Sequence, residues 1–141
     1  VGLVLNNEIV CGVIFDPIKD EIYYAEKNSG AYMNNKSIRV SKKREISNCL
    51  FSSNSKKISS DGLTIRITGS AALDLAYVSC GRFDGSFHKN LNLWDIAAGS
   101  VLVREAGGVL SNIDLKKTEN ISLIASNQSI EKEINNKISM F

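Results

Sequence analysis

The sequence predicts a mixed α/β fold, in which the first half forms an antiparallel sheet and the second half alternates between helix and strand. Residues 1–53 consist of short apolar and β-branched runs separated by turn residues, which is typical of a meander. Residues 63–141 add three stretches whose apolar positions recur with the period of a helix. The length of 141 residues fits one domain, with 54–62 as a short loop between its two parts.

The first predicted element is a hairpin. Val1–Leu5 is an apolar run, Ile9–Phe15 is rich in β-branched residues, and Asn6-Asn7 between them is typical of a two-residue turn. Asp16-Pro17 ends the second run, and Glu21–Ala25 resumes the sheet. The rest of this half is also predicted to be a meander. Its turns are at Asn28-Ser29-Gly30 and Asn34-Asn35, and it ends in Ile38, Val40 and Ser41.

Two helices are predicted in the middle of the second half. The first starts after Ser70, whose side chain is a good N-cap, and stops at Gly81, because glycine commonly ends helices. The second runs from Asp95 to Ala106 and ends at Gly107-Gly108. Its small residues, which would let another backbone approach closely, are Ala97, Ala98 and Gly99.

The remaining elements are four strands and a terminal helix. The strands are predicted at Ser47–Ser53, Leu63–Ile67, Val109–Asn112 and Ile121–Ala125. Ile130, Ile134 and Ile138 lie four residues apart and mark one face of the helix, which we expect to be capped near Asn127.

The composition excludes several classes of protein. The 17 basic and 15 acidic residues leave a net charge of +2, too small and too dispersed for a nucleic-acid surface. No run approaches the roughly 18 apolar residues that a membrane span needs, so we expect neither a membrane protein nor a secreted one. The cysteines Cys11, Cys49 and Cys80 are odd in number and far apart, which argues against disulfides or a thiolate zinc site and fits the cytoplasm.

Asp95 has two interpretations from the residues alone. At the first turn of a helix, a carboxylate is stabilised by free amide groups and by the helix dipole. The same carboxylate, beside the bulky Trp94, could also bind a hard cation such as Mg²⁺. The capping role is favoured, because one carboxylate does not make a metal site.

Several sequence blocks form a set that is similar to one protein family. The most specific is Trp94–Gly99, and the others in the second half are Gly69–Tyr77, Gly81–Gly85 and Glu105–Gly108. Those in the first half are Gly12–Pro17, Ala25–Lys27, Gly30–Tyr32 and Ile38–Ser41. Together they resemble the later part of the inositol monophosphatase family, with the bacterial extragenic-suppressor branch as the nearest likeness.

The resemblance implies a layered αβαβα sugar-phosphatase fold and a Mg²⁺-dependent phosphomonoesterase that acts on an inositol-phosphate-like molecule. In that family, clustered carboxylates hold Mg²⁺ ions that activate water and neutralise the phosphate. By this resemblance Asp95 is a metal ligand, and the substrate-binding positions are Gly69, Ser70, Ala71 and His88. It also implies pairing as a homodimer.

Three departures from the family pattern change the expectation. The family's main metal motif would lie upstream of Val1, so we expect an incomplete domain that could pair with a missing N-terminal portion. His88 replaces a usual Glu that contacts substrate hydroxyls, and the residues alone favour a surface histidine in a loop. The loop 54–62 is also shorter than in the family.

Asp16-Pro17 is similar to the start of the family's metal motif. The positive charge of Lys19 would stand where a metal ligand is needed, so this segment is predicted to be a turn.

Two functions therefore remain open. The first is a truncated phosphatase that is inactive as this chain alone, and the second is a non-catalytic binding or assembly module derived from the same fold.

The other acidic residues are predicted to have structural or surface roles: Asp74 on a solvated helix face, Asp84 in a turn, and Glu105 as surface charge. The serines near the loop lack the motif of a nucleophile elbow.

Overall fold

A computed structural model describes residues 1–55, 62–111 and 113–138, and the mixed α/β class predicted from the sequence is confirmed. Within these residues, two five-stranded sheets enclose two helices, and a third helix covers the far face of the second sheet. Most of the predicted loop lies outside the described residues, as does Asn112.

The first sheet is an antiparallel meander, as the turn residues predict. Its strands, hydrogen-bonded in chain order, are β1 (Gly2–Leu5), β2 (Glu8–Asp16), β3 (Glu21–Glu26), β4 (Gly30–Met33) and β5 (Lys36–Ser37). Asn6 and Asn7 both have positive φ, the conformation of a hairpin turn that matches the twist of its strands. The meander ends at Ser37, so the prediction that it continues to Ser41 is wrong, although Ile38 is buried.

The second sheet mixes parallel and antiparallel pairs. A 3₁₀ turn at Ile46–Asn48 precedes the strands, which are β6 (Leu50–Ser53), β7 (Thr64–Arg66), β8 (Gly85–Leu91), β9 (Val109–Leu110) and β10 (Ile121–Ser126). The spatial order is β7-β6-β8-β10-β9, and β6 is parallel to both of its neighbours. Sequence reasoning missed β8, the central strand, because its polar run lacks an alternating pattern.

The helices form where the sequence predicts them. They are α1 (Ala71–Ser79), α2 (Leu93–Glu105) and α3 (Glu131–Ile138). Ser70 caps α1 by accepting a hydrogen bond from the amide of Leu73, and Gly81 follows with a φ of +76°. Asn127 accepts bonds from the amides of Ser129 and Ile130 just before α3. No helix in the described part of the chain is long and apolar enough to cross a membrane.

The core lies on both faces of the second sheet. α1 and α2 fill the layer between the two sheets, and the buried residues of α2 include Ile96, Val101 and Leu102. Ile130, Ile134 and Ile138 of α3 pack against Phe51 and Phe87 on the opposite face, which confirms the predicted helix face. Gly12 is required where β2 meets α2, since a Cβ there would lie 2.6 Å from the Cα of Ala98. This packing holds α1 and α2 side by side between the sheets.

Candidate functional site

A cavity of about 450 Å³ opens at the starts of α1 and α2, beside the end of β8. It is lined by all five residues that the sequence singles out, which are Gly69, Ser70, Ala71, His88 and Asp95. The other lining residues are Ser53, Asn54, Ile67, Ala72, Leu91 and Trp94. The fold therefore brings together predicted site residues that are up to 26 positions apart in the sequence.

The start of α1 presents backbone amides to this cavity. Gly69 has a φ of +88°, which turns the chain into the helix, and the amide of Ser70 donates to the Thr68 hydroxyl. The Leu73 amide is taken by the Ser70 side chain, while those of Ala71 and Ala72 belong to the first helical turn, where no intrahelical acceptor exists. Amides in this position, with the positive end of the helix dipole, suit an anionic group.

Asp95 both caps α2 and lines the cavity. Its Oδ2 atom accepts a hydrogen bond of 2.9 Å from the amide of Asn92, so the capping role predicted from the residues is confirmed. Trp94 beside it is 67% exposed, although it is the largest apolar side chain in the sequence. The side chain of Asp95 thus sits at a rigid helix start next to an exposed aromatic ring.

His88 lies in a buried strand, and its prediction as a surface residue in a loop is wrong. It is 4% exposed in β8, and its Nε2 atom lies 3.1 Å from Oδ2 of Asp74. Asp74 is 1% exposed, so its prediction on a solvated helix face is also wrong. The Thr68 hydroxyl donates a 2.6 Å hydrogen bond to the other oxygen of Asp74, and links the pair to the segment before α1.

The described residues do not form a metal site on their own. No three His, Cys, Asp or Glu side chains come together as ligands in the described ranges. Mg²⁺ requires about six oxygen ligands in octahedral geometry. Asp95 offers only one carboxylate, and one of its two oxygens already accepts a hydrogen bond from the Asn92 amide. The residues present therefore do not fit Mg²⁺ without carboxylates from elsewhere.

The Asp16-Pro17 motif is a turn, as predicted. Oδ1 of Asp16 accepts bonds from the amides of Ile18 and Lys19, and Oδ2 accepts one from the Tyr77 hydroxyl. Burial acts to raise the pKa of Asp16, but the bonds from Tyr77, the two amides and the Lys19 ammonium outweigh it and lower the pKa. The carboxylate is fully engaged in holding β2 against α1.

Two further acidic residues are structural in ways that the sequence does not reveal. Asp84 is 2% exposed and accepts hydrogen bonds from the Lys43 ammonium and the Leu50 amide. Glu105 accepts bonds of 2.9 Å from the amides of Asn28 and Gly30, and so ties the end of α2 to the turn before β4. All four partner residues lie at least 34 positions away in the sequence, and no local pattern marks them.

A sequence profile of the inositol monophosphatase family matches residues 1–139. The chain belongs to this family. An inositol-1-monophosphatase of Mesorhizobium japonicum is 35% identical to it, over 95% of this chain and 57% of the relative. A Nus factor SuhB of Xylella fastidiosa is 37% identical over 90% of this chain and 54% of that protein.

Solved structures of the family have the same fold. The extragenic suppressor protein SuhB of Bartonella henselae superposes with a TM-score of 0.85 at 38% identity, over 94% of this chain and 59% of that one. The inositol monophosphatase fold predicted by the resemblance is therefore confirmed. The chain spans about 57% of the length of the first of these curated relatives.

Proposed function

We propose that this chain carries the substrate-binding part of a phosphomonoester hydrolase of the inositol phosphate type. The observation that supports this most strongly is the convergence of the α1 start and Asp95 on one cavity, in a chain of the inositol monophosphatase family. The amides of Ala71 and Ala72 bind an oxygen of the phosphate or of a neighbouring hydroxyl. The Ser70 hydroxyl, whose oxygen accepts from Leu73, still has a proton to donate to the substrate.

Mg²⁺ is the proposed cofactor, and Asp95 is the residue of this chain that would hold it. The other carboxylates must come from outside the described residues, because these supply no cluster of ligands. A phosphate dianion repels an attacking oxygen nucleophile unless positive charge cancels that repulsion. We therefore propose that the chain alone binds substrate but does not turn it over.

An assay of phosphate release from inositol 1-phosphate in the presence of Mg²⁺ tests this function. The chain alone should release none, and co-expression with the N-terminal part of the Mesorhizobium japonicum relative should restore release. Asp95→Asn should abolish the restored activity, whereas Asp20→Asn, which changes an exposed carboxylate in a turn, should leave it intact. Robust turnover by the chain alone that does not depend on Asp95 would contradict the proposal.

A second candidate function, assembly, is favoured by the outer face of the first sheet. Leu3, Val13, Phe15 and Ile22 are each at least 41% exposed there, although they lie in regular strands. Apolar side chains clustered on one sheet face mark a surface that binds protein. We propose that the portion of the family fold that this chain does not span covers this surface. The chain alone leaves the surface open and should self-associate through it in sedimentation experiments.

A further inference from the structure

Residues 36–44 form a strongly basic stretch that the substrate cavity does not use. They include no acidic residue, although the whole chain carries a net charge of only +2. Their basic residues are Lys36, Arg39, Lys42, Lys43 and Arg44. Within the described part of the chain, Asp84 beside Lys43 is the only carboxylate that forms an ion pair with any of these five side chains. The fold therefore gathers positive charge here without neutralising it.

The backbone of this stretch is irregular after β5, but hydrogen bonds hold it in place. Asn127 is 3% exposed, and its Nδ2 atom donates to the Ser41 hydroxyl and to the Lys43 carbonyl, both at 3.0 Å. The Val40 amide donates to the carbonyl of Ala106, just past the end of α2. Side chains that extend from a fixed backbone lose less conformational freedom when they bind a ligand.

A shallow cavity of about 430 Å³ lies beside this stretch, between the end of α2 and the residues before α3. Its charged lining residues in the described part of the chain are all basic, and they are Arg39, Lys42 and Arg44. Hydroxyl and amide groups are contributed by Ser41, Gln128 and Ser129. The end of α2 does not direct free carbonyl groups at an anion here, because backbone hydrogen bonds already occupy those of Leu102, Val103, Arg104 and Ala106.

Three cations around one small cavity require a compact ligand with several negative charges. A single phosphate group carries about two near pH 7, whereas linked phosphates carry more in a similar volume. Guanidinium groups present paired N–H donors that match phosphate oxygens, as Arg39 and Arg44 do here. A long nucleic acid is not favoured, because the cations surround one cavity in a chain of low net charge.

We propose that this cavity binds linked phosphate groups, as a site separate from the substrate cavity. α2 starts at the substrate cavity and ends at this one, and its 13 residues span roughly 20 Å. The two cavities therefore have no lining residue in common. This inference does not depend on the proposed function.

Titration of the full chain with inorganic tripolyphosphate, without Mg²⁺, tests this site. Isothermal titration calorimetry should show binding about tenfold tighter than that of inorganic phosphate, the range of one further hydrogen bond between charged groups. Citrate, a compact polycarboxylate, should bind more weakly than tripolyphosphate. In a ¹H–¹⁵N spectrum, the amide shifts should be concentrated in residues 39–44 and 127–129. Adenosine triphosphate separates two sources of the phosphates: tighter binding than tripolyphosphate would assign a nucleotide and equal binding an inorganic chain, and both support the site.

Charge-removing variants separate this site from general attraction to a cation-bearing surface. Arg39→Gln and Arg44→Gln should each weaken tripolyphosphate binding by about fivefold. Both side chains are exposed, so urea unfolding should stay as in wild type. Lys117→Gln removes the same charge from an exposed residue outside the cavity and should leave binding unchanged.

Four results would overturn the inference. They are absence of tripolyphosphate binding, citrate binding of equal strength, equal losses in all three variants, and amide shifts concentrated at Gly69–Ala72. None of them bears on whether inositol 1-phosphate shifts the amides of Gly69–Ala72, which tests the proposed function separately.

Discussion

Gly99 of α2 and Leu75 of α1 touch so closely that a Cβ added to Gly99 would lie 2.4 Å from the Leu75 Cβ. Leu75 is completely buried, and its helix is surrounded by the core. The contact lets the two helices lie side by side between the sheets. The cavity is built from the starts of these same two helices.

Gly99→Ala should destabilise the protein. The added methyl group overpacks the helix contact, and because its Cβ would approach that of Leu75 to 2.4 Å, the cost should lie near the upper end of about 1–3 kcal/mol. Better helix propensity offsets up to about 1 kcal/mol of this. Urea unfolding followed by circular dichroism measures the change in free energy. Arg104→Ala, at an exposed site of the same helix, should change it by less than about 0.5 kcal/mol. Equal stability of Gly99→Ala and wild type would contradict the packing described for α1 and α2.

The elements that the sequence predicts well are those specified locally. Ser70 and Gly81 bound α1 through their own side chain and φ angle, and the spacing of Ile130, Ile134 and Ile138 marks the buried face of α3 without reference to the rest of the chain. The family blocks likewise singled out Asp95 and the α1 start, and the structure places both on one cavity.

The features that sequence reasoning did not predict depend on contacts between residues that are far apart in the sequence. β8 lies between β6 and β10 and is buried on both faces, so its sequence need not alternate. Asp74 and His88 are polar, so the sequence predicts that both are exposed to solvent. Their burial is explained by the contact between them, which joins α1 to β8. Glu105 similarly finds its partners 75 and 77 residues away.

The free energy of unfolding should decrease in acid, because Glu21 loses its negative charge there. Arg82 donates two bonds of 2.6 Å to this carboxylate, and they are the main reason that the pKa of Glu21 falls to about 2. The ionised form stabilises the folded state above the ordinary pKa of 4.5, and this contribution is lost as the pH falls through about 2. The free energy of unfolding, measured in urea from about pH 5 down to about pH 2, should therefore decrease less steeply in Glu21→Gln. Glu26→Gln, at an exposed site of the same strand, should retain the wild-type slope, and identical slopes for all three proteins would refute the role of the ion pair.

The cysteines should differ in reactivity. Burial raises the pKa of the Cys49 thiol to about 11 and also raises that of Cys80, so little of either is thiolate near neutral pH. Cys11 is partly exposed on β2. Iodoacetamide at about pH 8 should label Cys11 first, with Cys49 labelled only when the protein unfolds. Peptide mass spectrometry of the time course measures this, and rapid native labelling of Cys49 would show that its site is open.

Self-association should depend on the outer face of the first sheet. Phe15 is 54% exposed in β2, next to other apolar side chains, so Phe15→Glu should lower the apparent mass in sedimentation velocity toward that of a monomer. Ile18→Glu adds the same charge at a turn residue that is 92% exposed, outside the sheet face, and should have little effect. Equal effects of both variants would mean that charge alone, and not this face, controls association.

Binding of a phosphate ester at the starts of α1 and α2 is the claim on which the proposed function depends most directly. A ¹H–¹⁵N spectrum of the chain, titrated first with inorganic phosphate and then with inositol 1-phosphate, tests it without requiring turnover. We expect shifts concentrated in the amides of Gly69, Ser70, Ala71 and Ala72 and in the indole of Trp94, the only tryptophan, with remote amides such as that of Gly30 unchanged. Unchanged cavity resonances in a folded chain, or shifts concentrated elsewhere, would contradict the claim.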